Sequence, residues 1–498
     1  MSSIHQSAAA ELLHDIQALR KAVAGEGRVL WAGWRPSIRR PSFAASALNL
    51  AHYLALRRRD LRPMQRRLMP LGLSSLGRAE GRVLAALDAV SAALAAIAGR
   101  GGEDWPSERR FFRGEMRLAA NTAELFGPAA AGRRRRIMVT LGADAAADPA
   151  VLHALLARGI EVVRINCAHD GPAEWQAMID NLRRAEAALG RSVRVLMDIG
   201  GPKVRTGAVI VPPDRARLQI GDTLLLRREG TAASPDEAFQ ATCTLGSVFD
   251  HLKPGDVVSI DDGKLRGVVE RLEGGGALVR IDQGRLKGVK LKPEKGLNFP
   301  TLELGLDPLT PKDRADLDFV AGHADMVGLS FVSAGAHVLA LQRELAARRP
   351  DDWQKLGVVV KIETPRAVRN LPEIMVAAAG RQPLAVMIAR GDLAVEIGFE
   401  RLAEMQEEIL WLCEAAHIPA IWATQVLEGL VTKGLPSRGE MTDAAMAGRA
   451  EVVMLNKGPN AAAAIEVLSG LLHRMDAHQL KKTPTMRALR SWSPGGTD

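Results

Sequence analysis

The chain has 498 residues, 47% of them hydrophobic and 25% charged, and a formal net charge of +9. That balance is ordinary for a globular protein, and a chain of this length divides into several domains rather than one small core. No apolar run reaches the roughly 18–20 residues that cross a bilayer, and aromatics at 4% are too scarce for a nucleic-acid stacking surface.

Cys167, Cys243 and Cys413 are odd in number and widely spaced, which argues against a disulfide framework or a zinc site. The first residues, MSSIHQSAAAELLHDIQALRKAV, mix acids with bases and lack the layout of an export or transit signal. Composition therefore reads as cytoplasmic, with neither nucleic acid nor membrane as a partner.

Residues 1–132 are rich in Ala, Leu and Arg. Leu12, Ile16, Leu19 and Val23 share one helical face, as do Val83, Leu87, Val90, Leu94 and Ile97. The spacing predicts an all-α N-terminal region with no catalytic motif, suited to packing or to contacts between copies in a homo-oligomer. It ends in the linker FGPAAAGRRRR (126–136). The basic runs RRRDLRPMQRR (57–67) and RRRR (133–136) are the exceptions to otherwise scattered charge. Such runs usually mark a solvated face, and a basic site for phosphorylated anions accounts for part of the excess.

Beyond 133 the texture changes to short β-branched runs alternating with helical stretches. The runs are RIMVTLG (136–142), EVVRINC (161–167), VRVLMDIG (193–200), ADMVGLSFV (324–332), GVVVKIE (357–363), LAVMIARGD (384–392), IPAIWATQ (418–425) and EVVMLN (451–456). Eight nearly continuous apolar strands with helices between them predict an α/β fold, a parallel (β/α)8 TIM barrel. The third interval is interrupted. Residues 208–295 alternate like strands and carry Gly-Asp and Asp-Gly turns, which predicts an inserted all-β lid domain over the barrel mouth. The expected division is a helical extension (1–132), a barrel (133–207 and 296–475), the lid (208–295) and a C-terminal tail (476–498) ending in SWSPGGTD.

Chemistry in such a barrel belongs at the carboxyl ends of the strands. Those ends read Arg164 and Asn166, Asp198, Ser330, Lys361 and Glu363, Arg390 and Asp392, and Thr424. Glu363 and Asp392 are hard oxygen ligands suited to Mg²⁺ or Mn²⁺. Lys361 lies two residues from Glu363, on the same strand face, where it can stabilise a phosphoryl group or an enolate. Arg164 and Arg205 suit phosphate. Thr424 can relay a proton through water.

The segments that carry these residues resemble one family. RRIMVTLG, VVRINCAHDG, VLMDIGGPKVRTG, SIDDGKL, KGLNFP, GLSFV, VVKIE, MIARGDLAVEI, IWATQVLEGL and PSRGEMTDAAMA look like pyruvate kinase, in order, over roughly 135–475. The resemblance implies phosphoryl exchange between phosphoenolpyruvate and ADP. It makes Lys361 the residue that stabilises the phosphoryl group and the enolate, and Glu363 and Asp392 the metal ligands. The backbone of Ala389, Arg390, Gly391 and Asp392 becomes the carboxylate cradle, and Thr424 the residue tied to enolate protonation. Arg164 and Arg205 become phosphate contacts, with His169 on the nucleotide side.

Most of the family also holds a monovalent cation, on an Asn, a Ser, an Asp and a Thr carbonyl. Here those positions are Asn166, Ala168, Asp198 and Ile199, and Lys203 replaces a glutamate. Members with that lysine resemble a potassium-independent class, so Lys203 is expected to replace K⁺ and no K⁺ requirement is expected. Other departures are Gly200 for a lysine, Ala143 for a proline, Ser333 for an arginine, and MLNKGPN (454–460) for MLSGETA. The family's C-terminal regulatory domain is expected to have no counterpart, and with it sugar-phosphate activation to be absent. Two other readings remain open from sequence: a metal-enolate lyase on the same barrel, and a non-catalytic protein that binds phosphoenolpyruvate or nucleotide.

Overall fold

Runs of Val, Ile, Leu and Met that are covered on both faces form parallel strands. The strands are β1 (Arg136–Thr140), β2 (Val162–Asn166), β3 (Arg194–Asp198), β4 (Met326–Leu329), β5 (Gly357–Ile362), β6 (Leu384–Ala389), β7 (Ala420–Ala423) and β8 (Val452–Leu455). In this computed structural model they close into a barrel in sequence order, with β8 returning to β1. Residues 3–484 are described, apart from 75, 103, 235, 236, 301 and 303. The predicted SWSPGGTD tail lies outside the described residues.

The two-residue period of a strand sorts the side chains. Met138, Leu196, Met326, Val359, Met387, Ile421 and Met454 cluster together in the barrel interior. Their neighbours, such as Ile137, Val139, Val195, Val327, Val358 and Val360, belong to a second core shared with the surrounding helices. Leu125 and Phe126 join the interior cluster although they come from the N-terminal region. Gly357 makes room for them, because a Cβ there would stand 2.5 Å from Leu125 and 2.8 Å from Met326.

The N-terminal region is helical, as the spacing predicts. Its main helices are α1 (Ser3–Trp34), α2 (Pro41–Arg57), α3 (Val83–Ile97) and α4 (Arg113–Phe126). Leu12, Ile16, Leu19 and Val23 are buried, as are Val83, Leu87, Val90 and Leu94, and all belong to the same core as the outer barrel layer. These faces are consumed within the chain.

Polar contacts fasten this layer. On α2, Asn49 donates to the carbonyls of Glu80 (2.7 Å) and Ala415 (2.8 Å) and accepts from the Val83 amide (3.1 Å). The RRRR run is largely structural rather than a solvated face. Arg133 pairs with Glu161 at 3.0 Å and Arg135 with Asp476 at 2.7 Å, all four side chains well shielded. After the helix Ala461–Asp476 comes a short hairpin, Gln479–Leu480 against Thr483–Pro484. Its Lys481 and Lys482 pair with Glu451 of the barrel and Glu80 of the N-terminal region.

The insertion is a seven-stranded sheet that runs from Thr206–Ile210 to Leu297–Asn298, with its own core around Leu224, Phe239, Val258 and Ile281. One pair in it, Thr223–Arg228 with Gln240–Cys243, is parallel. Gly274 and Gly275, both at positive φ, turn its longest hairpin, between Glu273 and Gly276. Among the described residues no helix is long and apolar enough to cross a membrane.

Asn49→Leu keeps the volume of a half-buried bridge but removes the partner of three backbone groups. Each orphan costs about 1–3 kcal/mol, so the variant is expected to unfold at clearly lower denaturant. A midpoint equal to that of the parent protein would show that Asn49 does not fasten the layer.

Candidate active site

The carboxyl ends of the strands surround a cavity of about 520 Å³. Arg164, Asn166, Lys203, Arg205, Lys361, Glu363, Ala389, Arg390, Gly391, Asp392 and Thr424 all line it. Of the residues singled out in sequence, Asp198 lies beneath the cavity wall rather than in it, and His169 is outside the lining set.

Asp198 is 1% exposed at the end of β3. Arg164 Nε donates to its carboxylate at 2.9 Å, Lys361 Nζ stands 3.3 Å away, and Ser330 Oγ is at 3.4 Å. Burial alone pushes this carboxyl up, but Lys361 and Arg164 outweigh it and hold it below the ordinary carboxylate value. The same balance acts on Lys361. Burial works against its charge, while Asp198 and Glu363 hold its ammonium above the ordinary lysine value.

Lys361 also meets Glu363 Oε1 at 3.1 Å and donates to Ser330 Oγ at 2.8 Å. Ser330 in turn donates to the Ile199 carbonyl at 2.7 Å. Glu363 accepts the amide of Phe331 at 2.6 Å, and Phe331 adopts a φ of +52° to present it. Burial pushes the Glu363 carboxyl up, and Lys361 opposes that shift.

After β6 the helix α5 (Arg390–Ile397) starts in the cleft and carries Asp392 in its first turn. The Arg390 side chain turns away from the cavity centre: it donates to the Ala423 carbonyl at 2.8 Å, pairs with Asp443 and lies over Trp422. Arg390 still lines the cavity, together with Ala389, Gly391 and Asp392. Thr424 and Gln425 follow β7 with φ of +71° and +59°. Gly391 lets that strained turn approach, since a Cβ there would stand 3.0 Å from Thr424 Cγ2.

The structure separates one predicted grouping. Lys203 was placed with Asn166 and Asp198, but its Nζ bonds both carboxylate oxygens of Asp392, at 2.8 and 3.1 Å, and lies 3.7 Å from Asp262 of the insertion. Arg164 and Lys361 already occupy Asp198. The Asn166 side chain accepts the Ala168 amide at 3.2 Å. Burial pushes the His169 imidazole down, and the charges of Lys457 and Arg205 add to the shift. Arg205 donates to the Glu294 carbonyl at 3.1 Å.

Sequence reasoning gave no role to Asn298 and Glu396, although both sit in the quoted segments. Asn298, in the insertion's last strand, donates to Glu396 of α5 at 2.9 Å. An acid inside the apolar stretch LAVEI was the available signal. Among the departures from the family pattern, Asn456 donates to Glu428 at 2.8 Å and lines the cavity. The Ser333 amide lies 3.3 Å from His337 Nδ1.

Fold and cleft define a class: a (β/α)8 barrel whose strand-end cavity sets two acids, Glu363 and Asp392, among Lys361, Lys203, Arg164 and Arg205. Residues 132–464 match the family described as "Pyruvate kinase, barrel domain". A pyruvate kinase of Agrobacterium vitis is 31% identical over 354 residues, 70% of each chain. One of Aeropyrum pernix is 34% identical over 310 residues, 62% of each chain, and one of Methylorubrum extorquens 32% over 327 residues, 65% of this chain and 64% of that one. The chain belongs to the pyruvate kinase family.

Burial pushes the Glu396 carboxyl from its ordinary 4.5 up to about 7; Asp392 adds to that shift, while the Asn298 bond and Lys203 oppose it. The folded state thus holds this proton more tightly than the unfolded chain does. Its contribution to stability is full below the unfolded carboxyl value of about 4.3 and is lost as pH rises through the folded value. Glu396→Gln removes that loss. Denaturant midpoints from about pH 5 to about pH 8 should fall less steeply for the variant than for the parent, and parallel curves would contradict the assignment.

Proposed function

We propose that the protein transfers the phosphoryl group of phosphoenolpyruvate to ADP, giving pyruvate and ATP. The observation that carries this reading is Lys361, fixed by Asp198, Glu363 and Ser330 in a cleft that also holds Asp392. The bond from phosphorus to the enol oxygen breaks, a terminal oxygen of ADP takes the phosphorus, and the enolate that remains accepts a proton at its methylene carbon.

Each residue has one task in that sequence. Lys361 presents a positive charge that needs no reorganisation as negative charge builds on the enol oxygen. Arg164 and Arg205 orient the phosphates, and His169 borders the nucleotide. The backbone from Ala389 to Asp392 cradles the carboxylate. Thr424 passes a proton to the methylene carbon through a water. Glu363 and Asp392 offer the hard-oxygen donor set that Mg²⁺ or Mn²⁺ takes alongside substrate and water oxygens. When bound there, the ion would neutralise charge on the phosphoryl and enolate oxygens. Lys361→Met should lower turnover at least about a thousandfold, while the pair of acids still binds Mn²⁺. Near-parental turnover would remove Lys361 from the reaction.

Lys203 is proposed to supply the charge that other family members take from K⁺. What supports this is an ammonium lining the cleft, 18% exposed, beside Asp392, together with Ala168, which has no side-chain oxygen to offer a cation. Pyruvate formation with Mg²⁺ should be equal in potassium-free buffer and with added KCl. A requirement for KCl would retire the role of Lys203 and leave the kinase. No turnover in either buffer would retire the kinase. A homo-oligomer is also proposed, through the exposed surface of the N-terminal helices, and light scattering on the full chain measures it.

A further inference from the structure

A second cavity, of about 430 Å³, lies at the opposite end of the barrel from the cleft, where β1 and β8 begin. Its walls come from the N-terminal region (Arg82, Leu118), the entry to β1 (Arg134, Arg136), the helix α6 (Phe399–Ala415) through Glu414, and the C-terminal hairpin (Leu480). Residues 82, 118 and 480 fall outside the stretch matched to the family's barrel domain. The cavity is thus walled in part by segments outside the barrel domain.

We infer that this cavity binds a small organic anion bearing a phosphate or carboxylate group. The RRRR run divides by partner. Arg133 and Arg135 are spent on Glu161 and Asp476. Among the described residues the Arg136 side chain donates to carbonyls, those of Gly127 (3.2 and 2.9 Å) and Arg134 (3.0 Å), and no carboxylate contacts its guanidinium. Among the described residues Arg134 hydrogen-bonds through its backbone alone, its amide donating to Asp476 and its carbonyl accepting from Arg136.

Of the acids in the wall, Glu451 acts on Arg136 electrostatically without an ion-pair contact to it among the described residues. Glu115 pairs with Arg82, and Glu451 with Lys481. The Glu414 side chain makes no hydrogen bond among the described residues, and burial pushes its carboxyl up to about 7. It therefore carries its negative charge only in part near neutral pH. Two guanidiniums without acidic partners suit a bidentate oxyanion. Leu118 and Leu480 give its carbon skeleton an apolar wall, and the volume is that of a metabolite site.

The test is binding, measured by calorimetry on the full chain with inorganic phosphate and, separately, succinate as probes. At least one should bind saturably, and which one binds tells phosphate from carboxylate. Arg134→Ala, at an exposed position, should weaken that binding about tenfold and leave basal turnover unchanged. Ala119→Trp, on the exposed side of α4, should fill the cavity and abolish binding. Failure of both probes to bind would overturn the inference. So would equal binding by the parent protein and both variants, which would put the anion elsewhere, the catalytic cleft included. The binding readouts do not depend on pyruvate formation, so this site and the proposed reaction stand or fall separately.

Discussion

An ionised carboxylate as deeply buried as Asp198 is untenable unless cations close on it. Arg164 and Lys361 do so from the strands on either side, Arg164 from β2 and Lys361 from β5 across β4. Removing the acid would leave two shielded cations facing each other. Removing either cation would leave a buried charge short of its partner. The positions of Lys361, Ser330 and, through Lys361, Glu363 therefore all follow from one acid at the end of β3. This is an expensive arrangement for stability, and it makes sense as preorganisation: the charge that a reacting phosphoryl group meets is already fixed in place.

The insertion is tied to the same cleft by polar contacts rather than by an apolar seam. Its core is separate from that of the barrel. What crosses is Lys203 between Asp262 and Asp392, and Asn298 on Glu396. Both contacts end on α5, the helix that carries Asp392 into the cavity. Through these contacts the insertion bears directly on the helix that carries Asp392. The Asn298 Oδ1 atom is buried without a partner, and Glu396 is shielded enough to hold its proton near neutrality. Both observations fit a junction that is not packed for maximum stability.

Much of this was legible in the sequence, and the reasons differ by element. The barrel strands announced themselves because burial on both faces leaves almost no polar interruption until the strand end, so the first polar residues are the ones in the cleft. The partner of Lys203 was not legible. A lysine's reach spans several candidate acids, and the choice of Asp392 over Asp198 depends on Asp198 having already been taken by two cations from other strands. The partners of the RRRR run were not legible for a similar reason: Glu161 and Asp476 are distant in sequence, and nothing in the run itself shows which of its charges are paired and buried. Asn298 and Glu396 lay in plain view inside recognisable segments. Only proximity across the junction gives them a task.

The N-terminal region shows the limit of amphipathic patterns most clearly. A stripe such as Leu12, Ile16, Leu19 and Val23 states that a face is buried, never against what. Contacts between copies were a natural reading of it, and the structure spends these residues on the chain's own core. Phe126, 1% exposed, goes further and enters the barrel interior beside Met326 and Met387. An appended module that docks on a finished barrel would leave that interior closed by the barrel's own residues. Here the floor is completed by α4, and Gly357 is shaped to admit it. Helical layer and barrel thus share their packed cores, and the floor contacts fall on strands β4 and β5, whose far ends lead to Ser330 and Lys361.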